Sequence, residues 1–209
     1  MNIYLFDFDC TLVDSMPTYI DVMLRFLRQR DIAYEKDIVK TITPLGYKGT
    51  AEYYQKLGVS LSADEIVKQL KEDIQKEYAN NIPAKKNVID VLNALKNRGD
   101  RLNILTASPH EMLDCCLKRL GIFEWFDNVW SCDDFNTTKS NPQIYKMAAQ
   151  RLGVSVENII FLDDNLNALK TAKSAGMRIY GVYDSSSEEY EKEIAEISNK
   201  YISNYTELL

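Results

Sequence analysis

Hydrophobic positions along the chain change their period twice. Ile3-Tyr4-Leu5-Phe6 is a continuous apolar run that stops at Asp7 and Asp9, the pattern of a strand buried on both faces of a parallel sheet. From about Pro17 to Asn81 apolar residues return only at helical spacing, and no strand is predicted there. Pro17 suits the first turn of a helix with Ile20, Met23, Leu24 and Leu27 on one face. Shorter helices are predicted over 36–42 and 50–57. Ser62-Ala-Asp-Glu65 reads as a capping box opening a fourth helix, which runs to about Tyr78 through Ile66, Leu70 and Ile74.

After residue 85 the texture becomes a regular alternation. A helix carrying Val88, Leu92 and Leu95 stops at Gly99, and a strand follows over 101–105. Helices over 111–120, 142–152 and 166–175 each end at a glycine (Gly121, Gly153, Gly176), and strands are predicted over 128–132, 158–162 and 177–182. The patch Ser185-Ser-Ser-Glu-Glu189 reads as the N-cap of a last helix. Strands separated by helices of this length predict an α/β fold: a Rossmann-like, doubly wound parallel sheet with right-handed crossovers. The helical stretch is then an insertion after the first strand, giving a core of 1–14 with 83–209 and an inserted helical domain of 15–82.

Composition narrows the function classes. The chain has 209 residues and a net charge of −6, with a sequence pI of about 5.0. Such a balance argues against a nucleic-acid surface, and the adjacent pair Lys85-Lys86 reads as a solvated helix start. No stretch approaches the ~20 apolar residues that span a bilayer, and the first residues lack the features of a signal peptide. The expected location is the cytoplasm, and oligomeric state is not readable. Cys10, Cys115, Cys116 and Cys132 have neither zinc-site nor disulfide spacing. His110 is the one histidine, so a histidine metal cluster is impossible and catalysis must run mainly on carboxylates, hydroxyls and lysine. His110 itself opens a helix, as a solvated or capping residue or as a contact at the rim of a site.

Ligands of doubly wound sheets bind outside the carboxyl ends of the strands. Those ends carry Asp7-Phe8-Asp9-Cys10-Thr11, then Thr106-Ala107-Ser108, then Lys139 beyond the third strand, and finally Asp163-Asp164. Clustered carboxylates repel unless a cation joins them. An all-oxygen donor set suits a hard ion, Mg2+ above others. With Lys139 and Thr106 added, the cluster could hold a phosphoryl group; one carboxylate could attack phosphorus while another handles the proton.

In order and context these residues resemble the four motifs of the haloacid dehalogenase-like superfamily. Asp7-Phe8-Asp9-Cys10-Thr11 is similar to its DxDx(T/V) motif, Thr106 to the Ser or Thr of the second, Lys139 to the lysine of the third, and Asp163-Asp164 to the acidic pair of the fourth. The resemblance covers essentially the whole chain and points to the phosphoglycolate phosphatase and beta-phosphoglucomutase-like members with a small helical cap. It implies Asp7 as nucleophile and Asp9 as general acid/base. The Mg2+ ligands it implies are Asp7, the Asp9 backbone carbonyl and Asp164, with Asp163 a further ligand or a partner of one. Thr106 and Lys139 would bind or neutralise the phosphoryl group, and Thr11, Ala107 and Ser108 would complete the substrate site. An acid at position 9 favours phosphoryl transfer over dehalogenation. Two departures stand out: Cys10 replaces the common glycine, as a packing or an oxidation-sensitive residue, and Ser140-Asn141-Pro142 replaces the usual Pro-x-Pro after the lysine. The insertion resembles the family's cap, with 44–49 at its specificity loop, where Tyr47 and Lys48 either contact the leaving group or stay solvated. The implied activity is Mg2+-dependent hydrolysis of a small-molecule phosphate monoester through an aspartyl-phosphate. The alternatives are a phosphomutase of the same fold and a non-catalytic phosphate-binding module.

Overall fold

A computed structural model describes all 209 residues, 1–209. The chain divides into two compact units, one made of Met1–Ser15 with Ile82–Leu209 and the other of Met16–Asn81.

The larger unit is built on six parallel strands: β1 (Ile3–Phe6), β2 (Arg101–Thr106), β3 (Asn128–Ser131), β4 (Ile159–Asp163), β5 (Arg178–Val182) and β6 (Lys200–Ile202). Their order across the sheet is β3-β2-β1-β4-β5-β6. The order reverses between β1 and β4, and a doubly wound sheet opens its ligand crevice at that switch point. Phe6 lies beside Ile104 of β2 and Leu162 of β4, so the residues that follow these strands emerge side by side. Every residue of β1 and β4 is buried, as continuous apolar strands covered on both faces must be. On one face Leu5, Phe161 and Ile179 pack with Ile144, Tyr145 and Leu169 from the covering helices.

Those helices are α5 (Val88–Asn97), α6 (His110–Arg119), α7 (Gln143–Leu152), α8 (Leu166–Ser174) and α9 (Glu191–Ile197). Gly99, Gly121, Gly153 and Gly176 all have φ between 70° and 102°; the left-handed turn that ends each helix is open to glycine without steric cost. Boundaries fall within two residues of those predicted at most ends. The serine patch differs. Asp184, not Ser185, does the capping, by accepting from Ser186 N–H, and Ser185–Tyr190 is a 3₁₀ turn ahead of α9.

The second unit contains α1 (Met16–Arg28), α2 (Ile38–Ile42), α3 (Gly46–Lys56) and α4 (Ala63–Asn80). The capping box at the start of α4 is present in both directions, Ser62 Oγ accepting from Glu65 N–H and the Glu65 carboxylate from Ser62 N–H. Tyr54 donates to the Met23 carbonyl at 2.9 Å and stacks on Phe26 at 5.7 Å, which joins α3 to α1. The segment 44–49, which the resemblance sets at a specificity loop, is helical. Thr43–Leu45 is a 3₁₀ turn with Pro44 in its first positions, Gly46 re-aims the chain with φ 62°, and Tyr47, Lys48 and Gly49 form the first turn of α3. The hydroxyl of Thr50 donates to the Ile42 carbonyl and ties the two helices together at this bend.

Candidate active site

Three buried carboxylates meet where β1 and β4 end. Asp7, Asp163 and Asp164 are 4%, 0% and 9% exposed, and one oxygen of each lies within 4.8 Å of the others. Asp7 N–H donates to the Leu162 carbonyl at 2.8 Å, so the sheet ladder itself sets Asp7 beside the Asp163-Asp164 pair. Burial of three acids at this spacing is unfavourable without positive charge.

Lys139 supplies part of that charge. Its ammonium donates to Asp7 Oδ1 at 2.6 Å and to Asp163 Oδ2 at 2.8 Å. Its own backbone is held by α7, where the Tyr145 hydroxyl donates to the Lys139 carbonyl at 3.0 Å. Burial alone would lower the Lys139 ammonium, but the two adjacent carboxylates outweigh it and hold the group well above its ordinary value. Burial pushes the Asp7 carboxyl up to about 7 against the pull of Lys139, and Asp163 adds to the rise. Asp164 is also pushed well up, by burial first and then by Asp163 and Asp7.

The remaining oxygens show where a cation fits. Asp163 has both oxygens engaged, Oδ2 by Lys139 and Oδ1 by Asn165 N–H at 2.7 Å. Asp7 Oδ2 and Asp164 Oδ1 share a single donor, the buried Thr11 hydroxyl, at 3.5 and 3.3 Å. One hydroxyl proton cannot serve two carboxylates. The pair Asp7 and Asp164 therefore suits a hard, oxygen-seeking divalent ion, whereas Asp163 is committed to Lys139 and to the loop that starts α8.

Around the carboxylates lies a cleft of about 360 Å³ lined by Asp7, Asp9, Thr106, Ala107, Lys139 and Ser140, with Cys10, Asp163–Asn165, Asn167 and Ala168 completing it. Thr106 ends β2, and its Oγ1 accepts from Ser108 N–H at 3.1 Å. With that lone pair occupied, the Thr106 proton is free to point at an anion. The Ser108 hydroxyl donates to Asp9 Oδ2. Of the residues expected to touch substrate, Ala107 lines the cleft. Thr11 and Ser108 are instead turned toward carboxylates, and neither is among the lining residues. Tyr47 and Lys48 belong to the helical unit, in the first turn of α3.

Several residues around the site were not among those singled out from the sequence. Asn165 caps α8 through Oδ1, accepting from Asn167 and Ala168 N–H, and could have been found as an N-cap directly after the acidic pair. Ser140 and Asn167 line the cleft without a recognisable motif. Lys85 is not the solvated residue expected. Its side chain is only 17% exposed, and it forms an ion pair of 2.9 Å with Asp184. Cys10 has φ 58°, a left-handed backbone that glycine adopts at less cost than a residue with a Cβ. Burial pushes its thiol far above the ordinary range, with Asp164 adding to the rise. A raised thiol disfavours the thiolate through which oxidation proceeds, and the buried side chain packs beneath the site. His110 bridges two helices' worth of acid: Nδ1 lies 2.9 Å from Asp114 and Nε2 2.8 Å from Asp134. Only the protonated ring can donate to both, and these bonds, Asp114 first, hold it above its ordinary value.

Comparison with known proteins identifies the family and agrees with the fold. The family model of haloacid dehalogenase-like hydrolases matches residues 4–182. A phosphorylated carbohydrates phosphatase of Thermotoga maritima is 26% identical over 187 residues, covering 88% of this chain and 87% of its own. A Thermotoga maritima structure provisionally assigned as a beta-phosphoglucomutase superimposes with a TM-score of 0.86 at 23% identity, over 100% of this chain and 97% of its own. YfnB of Bacillus subtilis, solved bound to magnesium, has a TM-score of 0.83 at 15% identity, over 99% and 96% of the two chains. With a family match spanning most of the length and a buried carboxylate cluster at the switch point of its sheet, the chain belongs to the haloacid dehalogenase-like hydrolases.

Proposed function

We propose that the protein is a phosphatase that hydrolyses a small-molecule phosphate monoester through an aspartyl-phosphate on Asp7. One observation carries this reading: Asp7 is held by Lys139 through one oxygen, while Asp9, fixed by Ser108, lines the same cleft. Nucleophile and proton donor thus converge on one space that also contains the Thr106 hydroxyl.

In the first half-reaction an Asp7 oxygen attacks phosphorus, and the bond from phosphorus to the ester oxygen breaks. Asp9, protonated, gives its proton to that leaving oxygen, so the product alcohol departs neutral. Lys139 stays against Asp7 and offsets the charge that gathers on the transferring group. Thr106, its lone pair satisfied by Ser108 N–H, donates its proton to a phosphoryl oxygen. In the second half-reaction the Asp9 carboxylate takes a proton from water as that water attacks phosphorus. The acyl-phosphate bond breaks, inorganic phosphate leaves, and Asp7 is restored. Asp7, Asp164 and the Asp9 backbone carbonyl would hold Mg2+, with Asp163 fixing the lysine beside them. When bound, the ion supplies positive charge to the phosphoryl oxygens and to the clustered carboxylates. By the same family resemblance the helical unit takes the part of a cap, with Tyr47 and Lys48 as the residues that would meet the leaving group.

The deciding measurement is phosphate release from an aryl phosphate and a panel of small phosphate esters, with and without Mg2+. Native protein should turn over in Mg2+, and Asp7→Asn should not. On the aryl phosphate, whose leaving oxygen departs without a proton from Asp9, Asp9→Asn should accumulate a hydroxylamine-labile phosphoprotein because the second half-reaction loses its base. Turnover that survives in Asp7→Asn would refute the assignment. A phosphomutase would use the same residues, and the product separates the two readings: an isomeric sugar phosphate in place of free phosphate. A non-catalytic binding module would take up phosphate on Asp7 and release none.

A further inference from the structure

The loop that carries Asp7 and Asp9 is gripped by a lysine that belongs to none of the four motifs. Lys85 Nζ donates to the Cys10 carbonyl at 2.7 Å, to the Tyr183 carbonyl at 2.5 Å and to Asp184 Oδ2 at 2.9 Å. An ammonium has three protons, and here each has one acceptor. Asp184 is itself fixed, with Oδ1 accepting from Ser186 N–H at 2.9 Å and Ser186 Oγ at 2.6 Å. The main chain of Lys85 adds a second hold, its N–H donating to the Leu12 carbonyl at 2.9 Å, next to a bridge between Val13 and Ala84. From the other side the Tyr205 hydroxyl donates to the Thr11 carbonyl at 2.8 Å.

The gripped residue is the strained one. Cys10 has a left-handed backbone, which a residue with a Cβ adopts only where its surroundings hold it there. It lies directly after Asp9 and directly before Thr11, whose hydroxyl touches Asp7 and Asp164. A rotation of the Cys10 peptide would move both neighbours.

We propose that Lys85, locked by Asp184, is a positioning residue that fixes the Cys10 peptide and thereby the orientation of Asp9 and of the Thr11 hydroxyl against the nucleophile. The catalytic part of this inference rests on the phosphatase reading above. It differs from a stabilising ion pair in what it predicts. Replacing both members of a buried pair by neutral residues is often tolerated in stability, while removing one member leaves an uncompensated charge. Positioning, by contrast, stays lost in both cases.

Three proteins decide the matter: native, Lys85→Met, and Lys85→Met with Asp184→Asn. Each is assayed for thermal midpoint, for kcat and KM on an aryl phosphate in Mg2+, and for hydrogen exchange of the 9–15 segment. Lys85→Met alone should lose both midpoint and kcat. The double variant should regain the part of the midpoint lost to the uncompensated Asp184 charge, the Cys10 and Tyr183 carbonyls still lacking their donor, yet keep a kcat about tenfold or more below native, the effect of one lost hydrogen bond from a charged donor. Its KM should stay within about twofold, since substrate binding is not touched, and the 9–15 amides should exchange about tenfold faster. A double variant with native kcat and native loop exchange would overturn the proposal. Should the double variant fail to fold, Lys85→Arg takes its place: it keeps a charge for Asp184, but its planar fork cannot put three donors at one point, so the same loss of kcat and loop protection is expected. Absence of turnover in the native protein would instead strike the phosphatase reading. Loop exchange alone would then judge the grip, unchanged protection in the double variant overturning it.

Discussion

Asp7→Asn should stabilise the metal-free protein at neutral and higher pH while abolishing turnover. The Asp7 carboxyl is raised from an ordinary 3.8 to about 7, chiefly by burial. An acid whose folded value lies above its unfolded one contributes nothing below about pH 3.8. The penalty grows as the unfolded chain ionises, and it is full once pH exceeds about 7. At about 1.4 kcal/mol for each tenfold difference in proton affinity, this displacement corresponds to about 4 kcal/mol against the folded state at pH 8. Asparagine keeps the shape. Its carbonyl can still accept from Lys139, and its amide can donate toward Asp164, so the penalty disappears without a new clash.

For a chain of this size each 1 kcal/mol is about 2–4 °C in midpoint. A rise on the order of 5–10 °C is therefore expected for Asp7→Asn over native, by circular dichroism in EDTA at pH 8, after discounting for relaxation around the buried charge. The gap should shrink steadily as pH falls and close near pH 4. Mg2+ should invert the order, because native protein gains a ligand-dependent increment that the variant, short of one carboxylate, cannot match. A native protein that melts at or above Asp7→Asn in EDTA at pH 8 would show that Asp7 carries no burial penalty, and the electrostatic account of the site would fail with it.

Two further outcomes follow from the same charges. Lys139→Met removes the partner of both Asp7 and Asp163 and leaves two buried carboxylates without a cation, so urea unfolding should show a loss of about 3–5 kcal/mol; a native-like midpoint would contradict the ion-pair geometry. His110 is raised above 6.5 by Asp114 and Asp134, so its contribution is complete below pH 6.5 and is lost as pH rises through the higher folded value. Comparison of midpoints for native and His110→Asn from acid to alkaline pH should show the native advantage fading on the alkaline side, and an advantage that grows with pH would exclude the double bridge.

Much of the larger unit could be read from the chain because its signals are local. Ile3-Tyr4-Leu5-Phe6 has no polar face to offer solvent, so it had to be an interior strand, and β1 is buried throughout. Gly121 and Gly153 could stop helices because the left-handed turn that ends each is open to glycine. Parallel strands deliver their carboxyl ends to one edge, so Asp7, Thr106 and the Asp163-Asp164 pair could be brought together on paper once the strands were placed. The stretch around Tyr47 misled for the opposite reason. Proline and two glycines favour a loop when only local preference counts, but Gly46 makes a single change of direction as the first residue of α3, and the helix runs straight on from it.

The orientation of side chains in the site lay beyond such reasoning, and Lys85 shows why. Beside Lys86 in a polar stretch it carries the marks of a solvated residue. Its three acceptors come from Cys10, Tyr183 and Asp184, two of them backbone carbonyls, which every residue possesses and which no sequence pattern distinguishes. Asp184 alone could have hinted at a partner, yet it lies 99 positions away and sits before a serine run that suggests a cap. Thr11 and Ser108 present the same difficulty in milder form. Each is a hydroxyl at the expected strand end, and composition cannot tell a hydroxyl aimed at substrate from one aimed at a neighbouring carboxylate. Their contacts with Asp7, Asp164 and Asp9 depend on χ1 angles that packing sets after the fold has formed. Which residues reach the cleft follows from the order of strands; which of them hold the others in place follows only from the packed structure.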